Sequence, residues 1–203
     1  MRLFTAFVVL VLCAFAVARG WTIARFAEER SMLASDGADL DRWTSVPGLG
    51  AAALDAAVAR TSSLPDIDVT RERRDRLVAL LAVRPMSSSD WLSLAAARLL
   101  TAQPYAQIAA ALQMSYVTGP NEGTVMWRRG AFGLLLWQAL PSDGRARAIA
   151  DLAGAMRETT VEDDAIGEVR AILDGRSAEV RSQIADLLRA DRTSDGSLRR
   201  LGL

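Results

Sequence analysis

Apolar positions recur along most of this chain at intervals of three and four residues, the period of one helix face. Between residues 145 and 157, Ile149, Leu152, Ala153 and Met156 form one stripe. Behind Thr160-x-x-Asp163, Ile166, Val169 and Leu173 form the next, and behind Ser177, Val180, Ile184, Leu187 and Leu188 follow i, i+4, i+7, i+8. The same spacing predicts helices over residues 38–46, 49–60 and 70–84, and a last turn or two over 194–201. Ser87-x-x-Asp90 has the form of a capping box opening a helix to Thr101. Pro104 suits the first turn of a helix to Tyr116, and Asn121 suits the cap of a long apolar helix to Leu140. No stretch alternates long enough for a sheet. The expected fold is all-α, with seven to nine helices in the body. Links of two to six residues make neighbours antiparallel hairpins.

The N-terminus breaks this pattern. Leu3 to Ala18 is sixteen residues without a charge, preceded by Arg2. As a helix it covers about 24 Å, short of a hydrocarbon core of about 30 Å. Two readings compete. Ala16-Val17-Ala18 has the small-x-small form of a signal-peptide cleavage site. Alternatively the helix continues past Arg19 and Trp21 into Ile23, Phe26, Arg30 and Leu33, with no turn signal before Asp36-Gly37, and remains as an anchor. The second reading is the expectation, with an anchor segment and its extension over residues 1–34 and a helical body over 35–203. Leu12 before Cys13 is too large for a lipobox. Arg19, Arg25 and Arg30 lean toward a cytoplasmic body, whereas the short N-terminal tail and the Ala-x-Ala site favour export. A single-pass inner-membrane protein with its body outside the cytoplasm is the expectation.

Two helices hint at a repeat. Trp91-x-x-Leu94-Ala95-x-x-Arg98 has the first-helix spacing of a tetratricopeptide unit, and Trp127-x-x-Gly130-Ala131-x-x-Leu134 partly repeats it 36 residues later. Each is followed by a proline, Pro104 or Pro141, and a second helix. Tetratricopeptide-like hairpins and an irregular helical bundle both fit. The stretch Met114-Ser-Tyr-Val-Thr-Gly-Pro-Asn-Glu-Gly-Thr-Val-Met-Trp-Arg-Arg-Gly130, with Trp137 and Leu140-Pro141, resembles uncharacterised single-pass envelope proteins of high-GC bacteria. Those accompany polysaccharide polymerase and export systems. The resemblance runs from about Leu80 to the C-terminus and brings no catalytic motif. It implies a setting and no reaction.

Composition narrows the chemistry. The chain of 203 residues has no His and no Lys, 24 Arg against 24 acidic residues, and one Cys inside the apolar run. The usual neutral-pH base is missing, and so are a thiolate cluster and a disulfide. A net charge of zero argues against nucleic acid as a partner. No cofactor and no metal are expected. Ala and Leu make up 63 residues, in keeping with the helical reading.

Unusual residues concentrate in Gly119-Pro-Asn-Glu-Gly123 with Arg128-Arg129. A helix starting near Asn121 presents backbone N–H groups that favour an anion, and an Arg two turns on can join them. Asn121, Glu122, Arg128 and Arg129 are therefore the candidate binding residues. Adjacent Arg residues point about 100° apart, so Arg128, on the face of Asn121, takes the binding role and Arg129 a structural one. The competing reading is plain helix capping. Glu158, Glu162, Asp163 and Asp164 fit helix-N-terminal acids better than paired catalytic carboxylates. Gly48-Leu-Gly50 lacks the strand of a phosphate loop. Trp91, Trp127 and Trp137 lie on apolar stripes and are expected in the core, Trp21 and Trp43 at the membrane interface.

The function expected from this is a non-enzymatic, membrane-tethered scaffold of the cell envelope with a protein partner, assisting polysaccharide polymerisation or export. The alternatives are an all-helical enzyme acting on envelope glycan through one carboxylic acid, Glu122 or Glu158, and a cytoplasmic-facing membrane adaptor.

Overall fold

In a computed structural model, residues 2–31, 40–60, 66–158 and 161–203 are described. They form eleven helices and, among the described residues, no strand: α1 (Arg2–Ser31), α2 (Asp41–Thr44), α3 (Gly50–Arg60), α4 (Ile67–Val83), α5 (Ser88–Leu100), α6 (Tyr105–Thr118), α7 (Gly123–Leu135), α8 (Ser142–Glu158), α9 (Asp163–Asp174), α10 (Ala178–Ala190) and α11 (Asp195–Leu201). The fold is all-α. Ten helices follow α1 where seven to nine were expected. Two of them, α2 and α11, are shorter than eight residues and fall within the stretches 38–46 and 194–201 expected to be helical. The chain divides into two compact units, Met1–Pro85 and Met86–Leu203. The boundary expected between residues 34 and 35 lies outside the described residues.

In the first unit α1 is one unbroken helix of 30 residues. Its segment Val8–Ser31 is long and apolar enough to cross a membrane, with mean hydropathy 1.7 and nothing buried in its most apolar stretch. A signal sequence has the same character. Beyond Arg19 the helix joins a small core of Phe26, Leu40, Trp43, Leu49, Ala53, Ala56 and Ala57. Trp43 is therefore buried rather than interfacial: its ring meets Phe26 edge-on at 5.6 Å and its Nε1 donates to Glu29 Oε2 at 2.7 Å. Trp21 is exposed. Asp66 caps α4 by accepting from the Asp68 N–H at 2.7 Å, so α4 starts three residues before the expected Thr70.

The second unit opens with two antiparallel hairpins. Arg98 Nη1 donates to the Gln107 carbonyl at one end of α5/α6, and Ser115 Oγ to the Ser88 carbonyl at the other. In α7/α8, Gly130 faces Ala148 and Leu152, and Gly133 faces Ala148. Beyond the hairpins α9 packs on α7, α10 on α8 and α11 on α9. One core runs through these helices, from Met126, Trp127, Leu134 and Trp137 to Leu152, Val169, Leu173, Ile184, Leu188 and Leu198.

Three local expectations are corrected. The apolar helix ends at Leu135, not Leu140: Arg176 Nη2 takes the carbonyls of Leu134 and Leu135, and the chain turns through Ala139 N to the Leu136 carbonyl before Pro141, which has no N–H to continue a helix. Ser87 makes no side-chain cap to α5; its Oγ faces Ser89 Oγ at 3.3 Å, so no capping box forms. The N-cap of α7 is Glu122, not Asn121. Ser177 does cap α10, accepting from the Val180 N–H, while Thr160 lies outside the described residues.

The α7/α8 contact rests on missing side chains. A Cβ on Gly130 would lie 2.5 Å from Leu152 Cγ and 3.1 Å from the Ala148 carbonyl oxygen, and one on Gly133 would collide with Ala148 Cβ, which is fixed to the backbone. Gly167 on α9 has nothing within 4 Å of such an atom. Ala is favoured over Gly in a helix by about 1 kcal/mol, whereas overpacking costs about 1–3 kcal/mol. Gly167→Ala is expected to raise the urea midpoint and Gly133→Ala to lower it. Equal shifts would mean that the two helices do not approach this closely.

Candidate functional site

The α6–α7 turn carries the candidate residues, and Arg129 builds it from below. Val125, Arg129 and Phe132 share the inward face of α7, and Arg129 is fully buried. All five guanidinium N–H groups are engaged. Nε donates to Asp151 Oδ2 at 2.8 Å and Nη2 to Asp151 Oδ1 at 3.1 Å, a two-point pair from α7 to α8. Nη1 donates to the carbonyls of Ser115 at 2.8 Å and Gly119 at 2.7 Å, and Nη2 reaches that of Pro120 at 3.1 Å. The Ser115 carbonyl, which also accepts from the Gly119 N–H, gains a second donor, and the carbonyls of Gly119 and Pro120 just past the end of α6 gain theirs. The Arg129 guanidinium also lies 4.7 Å from the centre of the Tyr116 ring, with Arg147 at 5.8 Å from the same ring.

Burial pushes the Asp151 carboxyl above the ordinary range for an aspartate, against the hydrogen bond and charge of Arg129, which pull it down. Burial and the Asp151 charge raise the Tyr116 phenol, opposed by Arg129 and Arg147.

A second contact fixes the turn from the side. Ser88 Oγ, buried at the start of α5, donates to Glu122 Oε2 at 2.6 Å. A Cβ at Gly119 would lie 2.5 Å from Glu122 Oε1 and 2.6 Å from Ser88 Oγ, so a glycine lets the turn close over this pair.

The four candidate residues therefore separate. Arg129 is internal and has no donor left for a ligand. Glu122 is held by Ser88. Asn121 and Arg128 are exposed, and Arg128 makes no hydrogen bond or ion pair among the described residues. The turn is tied down by Arg129 and Ser88, with Asn121 exposed in it and Arg128 exposed on α7. Asp151 was missed in the sequence, although it is a lone acid inside the α8 stripe of Ala148, Leu152 and Ala155. Of the other acids, Asp163 opens α9 and accepts from Arg200 Nη2 at 2.8 Å. The side chain of Glu158 lies outside the described residues. Among the described residues no three metal-ligating side chains converge. In the first unit, Arg25, Arg42, Trp43 and Val46 line a cavity of about 190 Å³.

Compared with protein-family models, curated proteins and solved structures, the chain finds no match in any of the three.

Proposed function

We propose that this chain is a non-enzymatic interaction protein of the cell envelope, tethered to the inner membrane by an uncleaved α1, with its helical body outside the cytoplasm. The observation that carries this reading is the continuity of α1. Its exposed apolar half runs without a break into a half that is built into the first unit through Phe26, Glu29 and Trp43. The packing of α5 on α7, α7 on α9 and α8 on α10 is the support for tetratricopeptide-like stacking, and such stacks offer broad surfaces to a protein partner. A polysaccharide polymerase or export component is the partner that the sequence resemblance suggests. The α6–α7 turn is the contact proposed, with Arg128 and Asn121 meeting an anionic group.

Carbonate-washed membranes test the tether. The full chain is expected in the pellet, starting at its N-terminus; a mature protein starting at Arg19 sinks the uncleaved anchor. Alkaline phosphatase fused to the C-terminus should be active. The excess of Arg19, Arg25, Arg30 and Arg42 beyond the apolar run favours the opposite topology, a cytoplasmic-facing adaptor, and an inactive fusion would establish it. In pull-downs from gently solubilised membranes at matched expression, Arg128→Gln is expected to lower partner recovery roughly two- to fivefold, the worth of an exposed ion pair. Unchanged recovery would return the turn to a purely structural role.

The enzyme alternative needs a carboxylic acid beside an apolar wall. Glu122 instead sits exposed at a helix N-terminus with Ser88 on one of its oxygens.

A further inference from the structure

The cavity in the first unit has a definite place relative to the apolar half of α1. Glu29 takes both Arg42 and the Trp43 Nε1–H, which sets α2 beside the last turns of α1. Five residues later Arg19 donates to the Pro47 carbonyl. The chain from α2 to the Pro47-Gly48 turn therefore descends antiparallel to α1, back toward the apolar run. The cavity lies between the two, lined by Arg25, Arg42, Trp43 and Val46. Arg25 is six residues beyond Arg19, about 9 Å along the helix axis. A headgroup layer is about 5–8 Å deep on each side of the hydrocarbon core. With Arg19 at the edge of that core, the Arg25 backbone stands just above the headgroup layer, and its long side chain can reach back to the level of the lipid phosphates.

The chemistry of the lining matches that depth. The Arg42 guanidinium lies 5.2 Å from the centre of the Trp43 ring and shares the Glu29 carboxylate with the Trp43 N–H. Glu29 offsets one positive charge, and Arg25 makes no ion pair among the described residues. Among the described residues the site keeps an excess positive charge beside an aromatic face and the Val46 side chain. A phosphate flanked by hydrocarbon fills such a site; a fully hydrated free anion leaves its apolar wall unused.

We propose that this cavity is a headgroup site for an anionic phospholipid. Arg25 and Arg42 hold the phosphodiester, while Trp43 and Val46 cover the carbons next to it. The proposal rests on α1 remaining in the membrane.

The test uses the full chain in nanodiscs of phosphatidylcholine, alone or with added phosphatidylglycerol, and reads retained lipid by native mass spectrometry. The wild-type chain should retain phosphatidylglycerol in preference to phosphatidylcholine. Arg25→Gln should lower that preference about fivefold, the worth of one Arg near an anionic surface, with helix content by circular dichroism unchanged. Arg30→Gln, on the same helix but outside the cavity, should leave the preference as it was. An equal loss with Arg30→Gln would mean diffuse attraction without a site and overturn the proposal. So would thermal protection of the detergent-solubilised chain by inorganic phosphate as strong as that by phosphatidylglycerol. A chain found to begin at Arg19 overturns the tether and this site together. A full chain that stays in the discs with no lipid preference overturns the site alone.

Discussion

Arg129→Met is expected to cost the second unit about 3–5 kcal/mol, the range for breaking a buried ion pair from one side. It leaves Asp151 about 5% exposed and without its partner. For a unit of this size the loss corresponds to a fall of about 10–20 °C in melting temperature. Arg129→Lys should recover little, since one ammonium cannot reproduce a two-point pair and three carbonyl contacts together.

The double variant Arg129→Met, Asp151→Leu separates two accounts of this residue. Where a buried ion pair is only a pair, apolar replacement is often neutral or stabilising. Here burial raises the Asp151 carboxyl against the pull of Arg129, so removing both charges is expected to relieve a desolvation cost. The carbonyls of Gly119 and Pro120, however, have Arg129 as their donor. Each is left short of a partner, at about 1–3 kcal/mol where water cannot reach it. The double variant should thus lie between wild type and Arg129→Met. Full recovery would mean that the turn does not depend on Arg129.

What the sequence made legible here follows from range. Helix faces depend on residues three and four apart, and the stripes of α8, α9 and α10 were readable from single positions such as Ile149, Val169 and Ile184. Ends were less so. The stop of α7 depends on Arg176, more than forty residues away, and α4 starts early because Asp66 supplies a local cap that loop-like residues disguised. The rotation between Arg128 and Arg129 was readable, and so was its consequence that one of them faces inward. Which carbonyls Arg129 would meet was not, because they belong to the far end of α6. A charged residue within an apolar stripe is the sign that was present: Arg129 between Val125 and Phe132, Asp151 between Ala148 and Leu152. Trp43 was misplaced for the same reason. Its stripe is only a turn long, and its partner Glu29 lies on α1, across residues that link α1 to α2.

Trp137→Ala should equal the loss expected for Arg129→Met. Trp137 is 1% exposed and sits in the turn after α7, packed into the core that continues to α11. Arg145 Nε donates to its carbonyl at 2.8 Å and the guanidinium lies 5.6 Å from its ring centre. Truncating a buried Trp costs about 3–5 kcal/mol. Trp127, at 6% exposure, should follow closely. Trp91 should lose clearly less. It is half-buried, because α5 opens the second unit and within that unit packs on α6 and α7. Trp137→Phe refines the comparison. The buried indole Nε1 has no hydrogen-bond partner among the described residues. Phe keeps much of the ring and removes that N–H, relieving a cost of about 1–3 kcal/mol. Urea titrations of the four variants should therefore order them with Trp137→Ala the least stable, Trp127→Ala next, and Trp91→Ala and Trp137→Phe near wild type. If Trp91→Ala costs as much as Trp137→Ala, the exposed part of Trp91 is covered in solution, and that surface becomes the next place to look for the partner.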